Sequence, residues 1–443
     1  MNNPVETTSI SGQGLSFKRS IAACLVLTIG TFSAFLAGPG NAFGGGFQIP
    51  EQSARATGMG GAALGLAGDP TTFHANPAAL SFLEGTNFSL GSTIIVPDQR
   101  FNGVSPASTQ TKMQAQVLFP PNFALSVSPG AGVGLGISVN FPYEAGTEWD
   151  QDWVGSRLAT KSDIRVLMVI PSASVKLGDD LAVGLGVTIS TLRLLYEQRI
   201  PVSVPNSQQP VPDGFATYQA NGNVSYGFQL GFLYNADKVF TIGGSFRSQS
   251  NMDLDGGTLS FRNIPPAVLD QYPDGEFSTS IPLAAQIRGG ASFHPFPWVT
   301  LSGELQYGLW SEFKSAIIRF SDPTRSTLSF PQNWNNTLNE RLGLELIFMD
   351  VSLRGGIRFE RSPVPDAVLI PGLPDANATG YSLGFGYRVG EGLLLDFAYL
   401  LTHFNDRPVG NSVLPFNTAG SGFDGVYVGQ STSVALNVSY FWK

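Results

Sequence analysis

Charge, cysteine, histidine and long apolar runs are all scarce in this chain, and each shortage removes a class of function. Only 13% of its 443 residues are charged, with a formal net charge of −8. An acidic chain of this kind is not built to bind nucleic acid, which requires a basic surface. Cys24 is the only cysteine and lies in the N-terminal leader. The mature chain is thus left without a disulfide framework, a thiolate metal site or a thiolate nucleophile. His74, His294 and His403 are the only histidines and form no recognisable pair. No Gly-x-Ser-x-Gly elbow, metal-ligand histidine pair or phosphate loop stands out, so no catalysis, metal or cofactor is expected. Beyond the N-terminus no apolar run approaches the roughly 18–20 residues that a spanning helix needs. A chain like this crosses a membrane only as a closed barrel.

What the sequence does contain is turn and strand chemistry. Fifty-two glycines and 30 prolines suit many strands and turns. Lys18 and Arg19, the apolar stretch 21–36 and the small residues ending at Ala42 have the layout of a secretory signal, and cleavage is expected after Ala42. From about residue 86 onward one apolar residue alternates with one small or polar residue, the period of a strand with two unlike faces. In Val299–Leu309, Val299, Leu301, Leu305, Tyr307 and Leu309 share one face, and Thr300, Ser302, Glu304 and Gln306 share the other. Segment 133–141 does the same with Val133, Leu135, Ile137, Val139 and Phe141 against Gly134, Gly136, Ser138 and Asn140. A soluble sandwich would alternate in the same way, so periodicity leaves open which face meets lipid.

Connection lengths carry more information. Short turns at 129–130, 178–180, 235–238, 295–297, 349–350 and 389–392 alternate strictly with long polar connections at 96–111, 143–161, 200–217, 250–277, 312–331, 362–379 and 404–425. Short periplasmic turns and long extracellular loops are the mark of an outer-membrane barrel, here all-β, antiparallel and of about fourteen strands. The final strand closes it and ends in the aromatic cluster Tyr440-Phe441-Trp442, suited to an interfacial girdle. The expected organisation is a signal peptide over 1–42, an N-terminal segment over 43–85 and the transmembrane barrel over 86–443. Residues 43–85 break the strand period and read as a plug folded into the lumen or as a periplasmic tail.

Gly46-Phe47-Gln48-Ile49-Pro50-Glu51-Gln52-Ser53 and Phe73-His74-Ala75-Asn76-Pro77-Ala78 resemble the start of the long-chain fatty acid transporter family, the FadL-type barrels. Trp310-Ser311-Glu312-Phe313, Asn333-Trp334-Asn335-Asn336-Thr337 and Ser362-Pro363-Val364-Pro365-Asp366 continue the likeness through the chain. The resemblance implies a monomeric fourteen-stranded barrel with an N-terminal hatch, set among outer-membrane lipid and lipopolysaccharide. It further implies capture of a long-chain fatty acid or other hydrophobic small molecule at apolar loops, a deeper pocket beside the hatch, and sideways exit at an inward kink of the third strand. No energy source is implied.

On that reading Phe47, Gln48, Asn76, Pro77 and Ala78 are the hatch and gating residues, the triplet touching the third strand; an ordinary turn is the alternative. Gly132, Gly134, Gly136 and Pro142 are the expected kink, although the glycines equally make room for a plug. Arg247, Arg288, Arg354 and Arg358 lie on the expected inner faces. They either hold a carboxylate head group or form salt bridges that anchor the hatch. Ile264, Val268, Leu269 and Tyr272 form a candidate capture patch, or simply pack within their loop. A general diffusion porin and a surface-binding barrel, an adhesin or receptor, are the competing functions.

Overall fold

The computed structural model describes residues 45–104, 109–236, 239–414 and 422–442. The signal-peptide segment 1–42 lies outside the described residues.

Fourteen antiparallel strands form a closed ring. In chain order they are β1 Thr86–Gly103, β2 Pro121–Gly130, β3 Val133–Glu148, β4 Lys161–Leu177, β5 Leu181–Ile200, β6 Ser225–Ala236 and β7 Phe240–Arg247. They continue as β8 Ala285–Phe296, β9 Val299–Leu309, β10 Thr337–Phe348, β11 Val351–Glu360, β12 Ala378–Val389, β13 Leu393–Val409 and β14 Gly425–Trp442. Each pairs with the next, and β14 returns to β1 in a register running from Thr86–Trp442 to Gly103–Gly425. Closure satisfies the backbone groups that an open edge would leave bare in lipid.

Burial settles the ambiguity that alternation leaves. Leu135, Leu185, Leu230, Leu383 and Leu436 are exposed, whereas the residues between them, such as Ser138, Ser174, Thr188, Ser382 and Asn437, are buried. A sandwich would bury the leucines; this wall turns them outward, where a bilayer supplies the apolar solvent. Phe296, Trp298 and Phe348 stack at the short-turn end with centroids 5.5 and 5.9 Å apart, as an interfacial aromatic girdle does.

Some strands outrun the expected connections: β1 continues to Gly103 and β3 to Glu148, while β5 ends at Ile200 where its connection is expected to start. Above the bilayer both faces meet polar surroundings, so hydropathy stops alternating while the ladder goes on. Several long loops also hold short strands, among them Gly214–Asn221, Ser250–Arg262 and Gly275–Leu283, which carry the sheet outward.

Residues 45–83 pack inside the ring. Ser53 caps the short helix α1, Ala54–Gly58, by accepting from the Ala56 amide at 3.2 Å. Asn76 caps the 3₁₀ turn Pro77–Phe82 in the same way through the Ala78 amide. The wall admits them because glycines face them: a Cβ at Gly343 would stand 2.6 Å from the Met59 carbonyl oxygen, and one at Gly184 would stand 2.5 Å from the backbone of Pro77. Gly343→Leu is therefore expected to expel the plug while leaving the lipid-facing side intact. Planar-bilayer conductance should rise several-fold in a barrel that remains heat-modifiable; unchanged conductance would mean that the contact does not seat the plug.

Candidate functional site

The site begins where the wall fails to pair with itself. β2 meets β3 only from Gly130–Val133 to Phe123–Val139. Beyond that point Pro120 and Pro121 give β2 no N–H to donate. β3 meanwhile carries an extra residue: Phe141 and Pro142 together face Leu167, between the pairs Asn140–Met168 and Tyr143–Val166. The bulge shifts the facing of every residue above it by one, so Tyr143 enters the lumen and Glu144 turns away from it. The break falls at Phe141-Pro142. Of the four expected kink residues only Pro142 lies there: Gly132 sits in the β2–β3 turn with φ +71°, Gly134 lies at a register shift next to that turn, between the pairs Val127–Leu135 and Gly130–Val133, and Gly136 lies in unbroken ladder. Gly134 and Gly136 instead make room for the plug, a Cβ at Gly136 standing 2.7 Å from Leu80 Cδ2.

The edge of β3 left bare by β2 is taken by the N-terminal segment. Ile49 N donates to Pro142 O and Glu144 N to Phe47 O, both at 2.9 Å, with Gln48 opposite Tyr143. Residues 47–49 thus stand in for the missing strand. Ile49 packs with Ile95 of β1 and Leu118 into a buried apolar seal. Phe47 points into an aromatic cage, its ring 5.5 Å from Tyr143, 5.5 Å from Trp310 and 6.1 Å from Trp334. Gln48 Oε1 accepts from Gln306 Nε2 at 2.8 Å. Beside this strap lies a cavity of about 140 Å³ lined by Ile49, Ile95, Leu118, Glu144 and Asp375, among others.

The Asn-Pro-Ala triplet is placed elsewhere. Asn76 Nδ2 donates to Phe232 O on β6 at 2.9 Å, and Pro77 and Ala78 lie against Gly184 of β5. Contact with β3 comes instead from Phe73 and Leu80. A proline turn is short, so which strand it meets depends on the whole path of the plug, which local sequence does not encode.

The lumen arginines separate into two kinds. Arg354 bonds Glu345 at 2.7 Å and Asp396 at 2.6 Å, and Glu345 in turn accepts from Arg55 of the plug at 2.6 Å. Arg358 pairs with Glu51 of the plug at 2.7 Å, and Arg288 with Glu304 at 3.2 Å. Glu304 also accepts from the plug amide of Leu64 at 3.1 Å. Arg247 differs: its hydrogen bonds go to His74 O at 2.8 Å and to Gln229 Oε1 at 3.3 Å, and it has no carboxylate partner among the described residues. Gln286, directly opposite Arg247 in the β7–β8 ladder, donates at 2.7 Å to the hydroxyl of Tyr143, which walls the Phe47 cage.

In the candidate capture patch Val268 is buried, Ile264 and Tyr272 are half-buried, and only Leu269, 53% exposed, faces out. Loop packing accounts for three of the four. Sequence reasoning missed Ile49, Ile95, Leu118 and Glu144. Prolines at 120–121 and 142 on neighbouring strands were the available signal.

A family profile described as "Outer membrane protein transport protein (OMPP1/FadL/TodX)" matches residues 35–442. A long-chain fatty acid transport protein of Escherichia coli O6:H1 is 24% identical over 420 residues, covering 87% of this chain and 91% of that protein. Outer membrane protein P1 of Haemophilus influenzae is 22% identical, covering 92% and 97%. Among solved structures, a Pseudomonas aeruginosa FadL homologue superposes with a TM-score of 0.79 at 20% identity, covering 90% of this chain and 100% of that one. The Pseudomonas putida toluene transporter TodX gives 0.69 at 16%, covering 88% and 98%. These structures support the barrel fold.

Asp375, in the loop between β11 and β12, ties the strap down from outside by accepting from Gly46 N at 3.2 Å. Burial pushes its carboxyl up to about 8, and Ser362, Arg407 and the Gly46 amide offset only part of that. A raised acid favours the folded loop while protonated. Its contribution is full below the ordinary value of 3.8 and is lost as pH rises through about 8. Exchange of the Gly46 amide should therefore accelerate between pH 6 and pH 9 beyond its intrinsic rate, and Asp375→Asn should flatten that excess. A wild-type excess that survives the substitution would assign it to another group.

Proposed function

The chain belongs to the outer-membrane transport family OMPP1/FadL/TodX, and on that footing we propose that it carries long-chain fatty acids or comparably hydrophobic small molecules inward by substrate-gated diffusion. The observation that carries this reading is the strap at residues 47–49, which occupies both the broken edge of β3 and the aromatic cage. Phe47 stands where an apolar cargo would bind. Cargo entering the cage displaces Phe47, the strap leaves β3, the Ile49 seal opens, and the cargo exits sideways into the bilayer. Lateral exit keeps the chain out of water, where each CH₂ costs about 0.8 kcal/mol. Arg247, a buried cation near the cage with no carboxylate partner among the described residues, is suited to a carboxylate head group. The arginines paired to the plug serve as anchors.

A porin has no use for a lumen filled by a plug held through Glu51, Arg55 and Asn76, and no observation favours a receptor role. The test uses the absence of cysteine after the leader. With Ile49→Cys and Ile95→Cys together, uptake of labelled oleate and toluene by cells lacking their own transporter should fall to background under oxidation and recover on reduction. Arg247→Met should reduce oleate uptake about tenfold, the loss of one charge-assisted contact, and leave toluene unchanged. Uptake indifferent to the cross-link, in a barrel that conducts ions freely, would favour the porin.

A further inference from the structure

The bulge in β3 that makes room for the strap also moves a carboxylate. Above it Tyr143 faces the lumen, so Glu144 faces outward, directly across from Arg165 of β4 in the ladder. Outward residues of a barrel wall are normally exposed, yet the Glu144 side chain is only 2% exposed. Segment 113–120 overlaps the outer side of β3 here: a Cβ at Gly146, on the same face as Glu144, would stand 3.1 Å from Gln116 Oε1 and 3.5 Å from Leu118 Cδ2. Glu144 therefore sits inside the lateral gap, in the wall of the cavity beside Ile49 and Leu118.

Its only cationic partner among the described residues is at the outer end of the gap. Arg165 Nε stands 3.2 Å from Glu144 Oε1, an oxygen with no hydrogen bond of its own. The Arg165 side chain is 42% exposed on the lipid side, one outward position above Leu167, where the apolar band of β4 begins. Its Nε donates to Asp163 at 2.9 Å, and its two terminal nitrogens make no hydrogen bond among the described residues. Arg193 of β5 lies directly opposite it. A guanidinium with a free two-nitrogen fork thus borders the gap at the level where lipid head groups begin, with one buried carboxylate behind it.

We propose that Arg165 is the exit site for an anionic head group: it leaves Glu144 for the carboxylate of the emerging cargo and draws that carboxylate to the outer interface while the tail enters the bilayer. The assignment rests on the lateral-exit reading above. Guanidinium forks bind carboxylates with two parallel bonds, and Glu144, too deep to follow, repels the departing anion outward. Arg247 at the cage and Arg165 at the rim then mark the two ends of the head group's path.

The test compares labelled oleate with labelled oleyl alcohol, which has the same tail and no charge, in cells expressing wild type, Arg165→Gln, Arg165→Lys or Glu144→Gln, each confirmed as a heat-modifiable barrel. Arg165→Gln should lower oleate uptake about tenfold, as expected for one charge-assisted contact, and leave oleyl alcohol unchanged. Arg165→Lys should restore part of the oleate uptake by keeping the charge without the fork. Glu144→Gln, which removes the repulsion behind the fork, should lower oleate uptake by less than Arg165→Gln does and leave oleyl alcohol unchanged. If Arg165→Gln slows both compounds equally, Arg165 supports the wall and the assignment fails; it fails as well if oleate uptake is unchanged. A wild type that moves neither compound would overturn the transport reading, and the exit site with it.

Discussion

A strand in a bilayer has to pair both of its edges, because lipid offers no hydrogen bonds to a bare N–H or carbonyl. The arrangement of the N-terminal strap follows from the place, between β2 and β3, where the wall breaks that rule. β2 runs into Pro120 and Pro121, β3 bulges at Phe141-Pro142, and the two separate. An open seam there would be costly; the N-terminal strap closes it with two backbone bonds from Ile49 and to Phe47. In the proposed mechanism the seal is made by the part of the chain that also leaves, which turns a structural defect into a gate.

For that gate to work repeatedly the rest of the plug has to stay put, and the lumen chemistry divides along this line. Arg55, Asp69, Glu345, Arg354 and Asp396 form one connected set of ion pairs from α1 to β10, β11 and β13. Removing one partner from a buried set of this kind costs about 3–5 kcal/mol, since it strands a charge. Glycines such as Gly184 and Gly343 bring wall and plug backbones into contact that no side chain could share. The body of the plug is therefore fixed by charge and shape together.

Much of this was legible in the sequence, and the part that was not has a physical reason. Alternation in segment 133–141 and the strict order of short and long connections give the barrel, because strand period and membrane thickness act locally. Which face meets lipid is not local, and only the exposure of residues such as Leu135 and Leu383 decides it. Of the expected kink residues Pro142 lies at the break, whereas Gly132, Gly134 and Gly136 lie nearer the short turn, because glycine signals a turn, a bulge or a close neighbour alike: Gly132 forms the turn, and Gly134 and Gly136 face Leu80 of the plug. Asn76 was matched to β3 and meets β6. The ion pairs between Arg354, Glu345 and Arg55 depend on register between strands distant in sequence, which composition cannot supply.

The energies on the two sides of the division support the proposal that cargo moves one part and not the other. Freeing the strap gives up two backbone bonds, worth about 1 kcal/mol each, and the burial of Phe47 and Ile49, worth about 2–3 kcal/mol apiece. An apolar tail of ten or more CH₂ groups, at about 0.8 kcal/mol each, covers that cost by filling the same aromatic cage. The same tail gains nothing from entering the Arg55–Glu345–Arg354 cluster, where it would have to separate ion pairs without replacing them. A hydrophobic ligand therefore competes with Phe47 on equal chemical terms and does not compete with the anchors at all. On this ground the proposed mechanism has the strap open under cargo while the plug body continues to close the lumen.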